Sequence, residues 1–201
     1  MKLYFSPGAC SLSPHIALRE AGLEFDLEQV HLGTKKTKTG TDFTQINPKG
    51  YVPALELDTG EVLTEGPAIV QYIADQRPES GLAPPAGTLQ RYRLQEWLNF
   101  ISTELHKQFS PLFGPKTEEQ QKDAARAYIG RRFDHVAQRL ESNSYLMGEQ
   151  FTVADAYLFT VLTWTNFAGI DLGRWPALAR FAERVGARPA VQAALQAEKT
   201  R

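Results

Sequence analysis

Cysteine is nearly absent from this sequence: among 201 residues there is one, Cys10. A single cysteine cannot form a disulfide within the chain, which excludes a disulfide-stapled secreted scaffold and fits a reducing compartment. The histidines lie far apart, so no Cys/His spacing typical of a metal site is present. We therefore expect no metal. The histidines are His15, His31, His106 and His135.

Long apolar runs and an excess of one charge sign are also missing. No stretch approaches the roughly 20 apolar residues that span a bilayer, and the N-terminal MKLYFSPGAC lacks the apolar core of a signal peptide. The 22 Lys and Arg against 23 Asp and Glu give a formal net charge of −1. Such a balance provides no field to hold a polyanion. We expect a cytoplasmic protein without membrane or nucleic-acid partners.

The first 80 residues alternate between strand and helix signals. Apolar runs ended by Gly and Pro predict strands, and Pro or Ser before an apolar-faced stretch predicts a helix start, with Ser11 or Ser13 as the first N-cap. The order β-α-β and then β-β-α predicts a small α/β domain with helices on the sheet. The predicted elements are a strand at 2–5, a helix at 11–20, a strand at 25–28, a polar loop with a short irregular helix at 33–50, a hairpin at 52–63 and a helix at 67–75.

A segment rich in Pro and Gly at 78–88 separates this pattern from a purely helical one. Apolar residues at helical spacing predict one long helix, and capping boxes predict two further starts. We expect domains at 1–80 and 88–201, joined by a linker at 81–87. The helical signals are the stripe Leu94, Leu98, Ile101 and Leu105, the capping pairs Thr117/Gln120 and Thr152/Asp155, and starts at Pro176 and Pro189.

Cys10 lies between the first predicted strand and the first predicted helix. A helix N-terminus carries partial positive charge, which stabilises a thiolate. In Cys10-Ser11-Leu12-Ser13 the last position is Ser, where a dithiol oxidoreductase has a second cysteine. Any disulfide of Cys10 therefore involves an outside thiol. A small buried apolar side chain is the structural alternative, and position alone does not decide between them.

Two further motifs suit a peptide-like ligand. A cis bond between Val52 and Pro53 would turn the Val52 N–H and C=O outward, although most X–Pro bonds are trans. Glu65-Gly66-Pro67 opens a predicted helix, where Glu65 can pair with an ammonium group and the Gly66 N–H with a carboxylate. On this motif alone, a plain helix cap is the simpler interpretation.

A polar row is predicted on the long helix of the second domain. Asn99, Thr103 and His106 lie at i, i+4 and i+7, opposite the apolar stripe, and His106 can act in proton transfer. On this row alone, a solvated helix face is the simpler interpretation, and surface charge likewise explains Lys35 in the polar loop.

Together these motifs resemble the beta class of bacterial glutathione transferases. The resemblance rests on MKLYFSPGACSLSPHIALREAGL, NPKGYVPAL, LTEGPAIVQYIAD, EWLNFISTELHK and FTVADAYLFTVL, and it covers essentially the whole chain. It implies a thioredoxin-like α/β N-terminal domain, an all-helical C-terminal domain and a homodimer. It also implies a transferase that conjugates the thiol of its co-substrate glutathione to small hydrophobic electrophiles in detoxification, without a metal.

The resemblance assigns site residues as well. Cys10 matches a cysteine beside the glutathione sulfur that forms a mixed disulfide with it, and His106 matches a residue near the thiol. These two are the expected catalytic residues. Glu104 matches a residue that reaches the neighbouring subunit's ligand. The implied glutathione contacts are Cys10, Lys35, Val52, cis Pro53, Glu65, Gly66, Asn99, Thr103, Glu104, Leu105, His106 and Lys107, and the implied hydrophobic pocket is Phe109, Phe113 and Trp164.

One residue departs from the family. Phe5 stands where members commonly have Tyr, and Phe cannot donate a hydrogen bond. We expect Phe5 to be tolerated. Three alternatives stay open: a monothiol thiol-disulfide oxidoreductase, a glutathione-dependent reductive dehalogenase with the same glutathione site, and a non-catalytic ligand-binding protein.

Overall fold

The computed structural model describes residues 1–199, and the chain forms two compact units. The first contains Met1–Ala83 and the C-terminal segment from Ala187, and the second is Pro84–Gly186. The boundary between the two units, between Ala83 and Pro84, therefore lies within the predicted 81–87 linker. The C-terminal segment, however, groups with the first unit rather than with the helical domain of the predicted 88–201 range.

A five-stranded mixed sheet forms the centre of the first unit, with the order β3-β2-β1-β4-β5. β1 pairs parallel with β2, as the helical crossover between these two strands requires, and antiparallel with β4. The predicted α/β order is confirmed, although the sequence pattern missed β3. The strands are β1 Lys2–Phe5, β2 Asp26–His31, β3 Lys36–Thr37, β4 Ala54–Glu56 and β5 Val62–Thr64.

Helix α1 spans Leu12–Glu20 and helix α2 spans Gly66–Gln76, each within one residue of its predicted bounds. Ser11 occupies the N-cap position of α1, as predicted, but its side chain makes no capping hydrogen bond, and Ser13, the other candidate, lies inside the helix. The Ser11 hydroxyl instead donates to the Ser6 carbonyl at 3.2 Å and accepts from the Ser6 N–H at 3.1 Å. Ser11 thus closes the loop before α1 rather than the helix end.

The second unit contains six helices within the described residues. They are α3 Leu89–Phe100, α4 Ser110–Phe113, α5 Glu119–Glu141, α6 Val153–Thr163, α7 Thr165–Ala168 and α8 Pro176–Gly186. The predicted apolar stripe is fully buried, but the long helix changes after Phe100 into a π-helical segment, Ile101–Leu105, and a 3-10 segment, His106–Phe109. Periodicity alone does not distinguish these variants from an α-helix.

One predicted capping box is confirmed and the other is wrong. The buried Asp155 carboxylate accepts from the Thr152 N–H and hydroxyl at 2.8 and 2.9 Å and from the Leu146 N–H at 2.8 Å. Burial raises the pKa of Asp155 to about 6. Thr117 caps nothing, because α5 begins two residues later and the Thr117 N–H donates to the Gly114 carbonyl in a turn.

The last helix, α9 (Pro189–Lys199), belongs to the first unit because it packs on α1. Arg188, just before it, makes a bidentate ion pair with Glu20 at 2.6 and 2.8 Å. Across residues 1–199, no helix combines the length and apolar character needed to cross a membrane.

Candidate functional site

The loop between β1 and α1 carries Cys10. Gly8 turns this loop in the left-handed region, with φ 71°, and the Ala9 N–H donates to the Ser6 carbonyl at 3.0 Å. The Cys10 side chain is half-buried, and its thiol lies 3.2 Å from the Val52 main-chain oxygen, to which it donates. The predicted position of Cys10 between a strand and a helix is therefore correct. The contact with Val52 fixes the direction in which its side chain points.

The segment 49–53 runs beside Cys10. The Val52–Pro53 peptide bond is cis, as the resemblance implied. Lys35, in a left-handed turn with φ 57°, donates through Nζ to the Gly50 carbonyl at 2.7 Å. Lys35 is thereby held against the same segment that contacts the thiol.

Glu65 lies directly before α2 in an unusual backbone conformation, with φ 69°. Its Oε1 accepts from Lys49 Nζ at 2.7 Å and from the Tyr51 hydroxyl at 2.8 Å. These hydrogen bonds to the Glu65 carboxylate raise the pKa of both Lys49 and Tyr51. Gly66 begins the helix, so a carboxylate and a positive helix end are adjacent.

These contacts join four of the residues expected to hold glutathione into one continuous patch of the first unit: Cys10, Lys35, Val52 and Glu65. Hydrogen bonds link Cys10 to Val52, Lys35 to Gly50, and Tyr51 to Glu65. The patch offers a thiol, a cation, an anion and the start of an 11-residue helix. Such a set of groups matches an extended peptide that carries an ammonium group and carboxylates.

The sequence motifs did not predict two members of this patch, Lys49 and Tyr51. They flank Gly50 in the NPKGYVP motif but contact Glu65 from 16 and 14 positions away. The one feature of the sequence that could have indicated them as site residues is their polar character beside a bend that precedes Val52-Pro53. Nothing in the sequence pairs them with Glu65, because only the antiparallel pairing of β4 with β5 brings the two segments together.

His106 lies in the second unit, in the 3-10 segment, and is mostly buried. Its Nδ1 forms a hydrogen bond of 2.6 Å with the Tyr157 hydroxyl. Burial lowers the pKa of His106 to about 4, with a smaller contribution from the Lys107 charge. The imidazole is therefore neutral near neutral pH. Tyr157 was missed because it lies 51 positions away on α6.

The three predicted pocket aromatics form one cluster around Trp164. The Trp164 ring centroid lies 4.9 Å from that of His106, 5.5 Å from Phe109 and 5.9 Å from Phe113. Phe109 is fully buried and Trp164 nearly so, whereas Phe113 is half exposed. Phe109 therefore supports the cluster, and Phe113 is the member that reaches solvent.

The remaining predicted residues of the second unit differ in exposure. Asn99, Thr103 and Lys107 are exposed, but the Leu105 side chain is fully buried, which leaves its backbone as the part that can contact a ligand. Glu104 accepts from Arg132 Nε at 2.8 Å and from the Tyr128 hydroxyl. These hydrogen bonds lower the pKa of Glu104. Its predicted role toward a neighbouring subunit stays a prediction.

Comparison with known proteins agrees with the two units. Residues 8–76 match the glutathione S-transferase N-terminal domain, and residues 100–189 match the glutathione S-transferase C-terminal domain. Glutathione S-transferase GstA of Escherichia coli O157:H7 is 48% identical to this chain over 98% of both chains.

Solved structures are similar over the full length. A ternary complex of BphK, a bacterial GST, is 60% identical, with a TM-score of 0.98 over 99% of this chain and 100% of that chain. A sphingomonad glutathione S-transferase complexed with glutathione is 50% identical, with a TM-score of 0.97 over all of both chains. A beta-class enzyme of Sphingomonas chungbukensis is also 50% identical, with a TM-score of 0.96 over 98% of both chains. The chain therefore belongs to the glutathione S-transferase family, as a bacterial beta-class glutathione transferase.

Proposed function

We propose that the patch around Cys10 and Glu65 binds glutathione and presents its thiol to small hydrophobic electrophiles. The continuous set of contacts from Lys35 through segment 49–53 to Cys10 and Glu65 carries this proposal. Its charges complement those of a tripeptide with one ammonium group and two carboxylates. The sphingomonad relative complexed with glutathione supports the choice of ligand.

Each group has a role that follows from its chemistry. The Glu65 carboxylate receives the γ-glutamyl ammonium, the Gly66 N–H at the start of α2 receives the γ-glutamyl carboxylate, and Lys35 receives the glycyl carboxylate. The Val52 main chain pairs with the cysteinyl residue, as an added strand does at a sheet edge. Held in this way, the glutathione thiol lies beside Cys10 and attacks as thiolate.

The aromatic cluster of the second unit supplies the apolar surface for the electrophile. Phe113 and Trp164 provide the contacts, and a neutral His106 acts through a single ring N–H. We propose that Tyr157 donates to Nδ1, which places the His106 proton on Nε2 for donation. Asn99, Thr103, Glu104, Lys107 and the Leu105 backbone complete the glutathione contacts in this proposal.

Thiol exchange is a second activity of the same site, favoured by the half-buried position of Cys10. The Cys10 thiolate attacks the glutathione sulfur of a mixed disulfide between glutathione and another thiol, forms a Cys10–glutathione disulfide and releases the other thiol as its thiolate. A glutathione thiolate then attacks the Cys10–glutathione disulfide, regenerates the Cys10 thiolate and releases glutathione disulfide, so the chain needs no second cysteine.

We further propose a cytoplasmic homodimer, as is typical of the family. Light scattering at micromolar concentration tests the dimer, and a monomer there would overturn it.

The decisive experiment is glutathione-dependent conjugation of a chromogenic aryl halide. Glu65→Gln should weaken glutathione binding by about 10- to 100-fold, because a charge-assisted pair with the ammonium is lost. Tyr51→Phe is the matched control, since it removes one hydrogen bond to Glu65 but keeps the carboxylate, and it should cost only a few-fold. Equal losses in both variants, or no saturable activity in the parent protein, would contradict the proposal.

A further inference from the structure

The second unit contains a cavity of about 490 Å³ between helix α5 and the segment 169–175 that precedes α8. Its volume lies in the range of about 300–1,000 Å³ that is typical of small-molecule sites. The lining residues all lie within 126–134 and 169–175, and they include none of the residues proposed to hold glutathione or the electrophile. The proposed function therefore leaves this cavity without a role.

Two hydrogen bonds connect the walls of the cavity. Trp175 Nε1 donates to Asp134 Oδ1 at 2.7 Å, and Arg126 Nε donates to the Ala168 carbonyl at 3.0 Å. Both bonds join α5 to the chain that follows α7. A ligand therefore enters a site that is already formed, which reduces the ordering cost of binding.

Gly130 lies at the inner end of the cavity, together with the nearly buried Ile170 and Trp175. It stands in the middle of α5, where glycine is less favourable than alanine. Packing does not require glycine here, because a Cβ would lie 3.5 and 3.7 Å from two atoms of the Trp175 ring, which are ordinary contact distances. The missing side chain instead leaves that ring accessible from the cavity.

Arg131 and Arg174 lie at the outer, exposed end of the cavity. The Arg131 guanidinium packs 5.5 Å from the centroid of the Tyr128 ring, and that of Arg174 packs 5.0 Å from the centroid of the Trp175 ring. Within residues 1–199, neither arginine forms an ion pair with a carboxylate. Their donors are therefore available to an anionic ligand.

The other charged groups of the lining limit how much negative charge a ligand can carry. Arg126 pairs with Glu119 and Asp123 at 2.8 and 2.7 Å, so its charge is already balanced. Asp134 and Asp171 also line the cavity, and each adds a negative charge to the wall. The two exposed arginines can therefore bind a single carboxylate, whereas the two aspartates would repel a dianion.

We propose that this cavity binds a small aromatic monocarboxylate. The ring of the ligand lies against Gly130 and Trp175 at the inner end, and its carboxylate contacts Arg131 and Arg174 at the outer end. A flat ring suits this lining because aromatic rings pack well against an indole and stack on guanidinium planes. The proposal goes beyond the proposed function, since this site is separate from the glutathione patch and holds its ligand without reacting with it.

Isothermal titration calorimetry with 2-naphthoate tests the proposal, with neither glutathione nor an electrophile present. The parent protein should bind one molecule per chain with a Kd of about 0.1–1 mM, as expected for a small ligand with one charged contact. The dianion 2,6-naphthalenedicarboxylate should bind at least about tenfold more weakly, because its second carboxylate faces the aspartates.

Two cavity variants and one matched control locate the binding. Arg174→Gln should weaken 2-naphthoate binding about tenfold, because a charge-assisted hydrogen bond is lost. Arg180→Gln removes the same charge from an exposed side chain of α8 outside the lining, and it should change the Kd by less than about twofold. Gly130→Leu should weaken binding more than about tenfold, because the added side chain occupies the inner end.

Thermal denaturation checks that Gly130→Leu is folded. If it is not, Gly130→Ala replaces it, since its methyl group fits at ordinary contact distance from Trp175 and alanine favours the helix. That smaller change should weaken binding about threefold, because the methyl group separates the ligand from the indole.

Unchanged binding in the folded Gly130 variant, or equal binding in Arg174→Gln and Arg180→Gln, would overturn the proposal. A Kd above about 5 mM in the parent protein would do the same. Loss of binding in Phe113→Ala, with binding kept in the cavity variants, would place the ligand at the aromatic cluster and also overturn it. Calorimetry detects binding without turnover, so the result does not depend on whether the protein conjugates glutathione.

Discussion

The Cys10 thiol donates a hydrogen bond to the Val52 carbonyl at 3.2 Å, across 42 positions of sequence. The acceptor belongs to the residue before the cis proline, and the donor lies in the loop that opens α1. Through this contact, the cysteine lies beside the main chain that we propose to hold the cysteinyl part of glutathione. Cys10 therefore lies where it can affect two activities, thiol exchange and conjugation, and experiments can measure these independently.

Replacing Cys10 should abolish thiol exchange but not conjugation. In Cys10→Ala, incubation with glutathione disulfide should leave the intact mass unchanged, because no sulfur is available for a mixed disulfide. Conjugation should stay within about tenfold of the parent rate, since the reacting thiol belongs to glutathione. Cys10→Ser is the control, because its hydroxyl can still donate to Val52. Loss of conjugation in both variants would assign the chemistry to Cys10 itself.

His106 should make the protein less stable in acid. Its pKa in the folded state, about 4, lies below the value of about 6.5 in an unfolded chain, so the unfolded state binds the proton more tightly. The stabilisation is complete above about pH 6.5 and is lost as the pH falls toward about 4. Urea unfolding at several pH values measures this loss. Between about pH 6.5 and pH 4, the free energy of unfolding should fall by roughly 2–3 kcal/mol less in His106→Gln than in the parent protein.

Lys107→Gln tests the cause of this pH dependence. The Lys107 charge lowers the pKa of His106 less than burial does. Its removal should therefore reduce the acid-dependent loss only slightly. An equal reduction in both variants would mean that charge repulsion, rather than desolvation, controls His106.

Phe5→Tyr should lower stability without increasing the rate. The Phe5 side chain is fully buried, with its ring 6.2 Å from that of His15, so an added hydroxyl must be desolvated. We expect a loss of about 1–3 kcal/mol in unfolding free energy. The kcat/KM at neutral pH should change by less than about threefold. A large rise in rate would show that the hydroxyl found in other members contributes to thiolate stabilisation.

Asp155→Asn should cost about 2–4 kcal/mol in unfolding free energy. The buried carboxylate accepts three hydrogen bonds from Leu146 and Thr152, and an amide cannot accept them all. Asp171→Asn is the control, because this exposed carboxylate accepts from the Gly173 N–H and its loss should cost about 1 kcal/mol or less. Chemical denaturation of both variants measures the difference, and equal effects would refute a special role for the buried cap.

Much of the fold is readable from short-range patterns. The turn at Asp58-Thr59-Gly60 joins β4 to β5, with Gly60 at φ 85°, and Thr152 with Asp155 marks the start of α6. These features depend on neighbouring residues, whose conformational preferences act wherever the chain lies. The π-helical segment at Ile101–Leu105 was not predictable, since its apolar stripe has the same spacing as that of an α-helix.

The sequence by itself determined the order of strands and helices apart from β3, the capping box that begins α6, and most of the candidate ligand residues of the first unit. Only the tertiary structure decided which groups meet: Tyr51 with Glu65, His106 with Tyr157, and Gly8 with Glu198. Local propensity acts over a few residues, whereas these pairs are 14, 51 and 190 positions apart. The buried members, Tyr157 and Glu198, must find hydrogen bonds within the fold, and only the packing of distant segments brings them their partners.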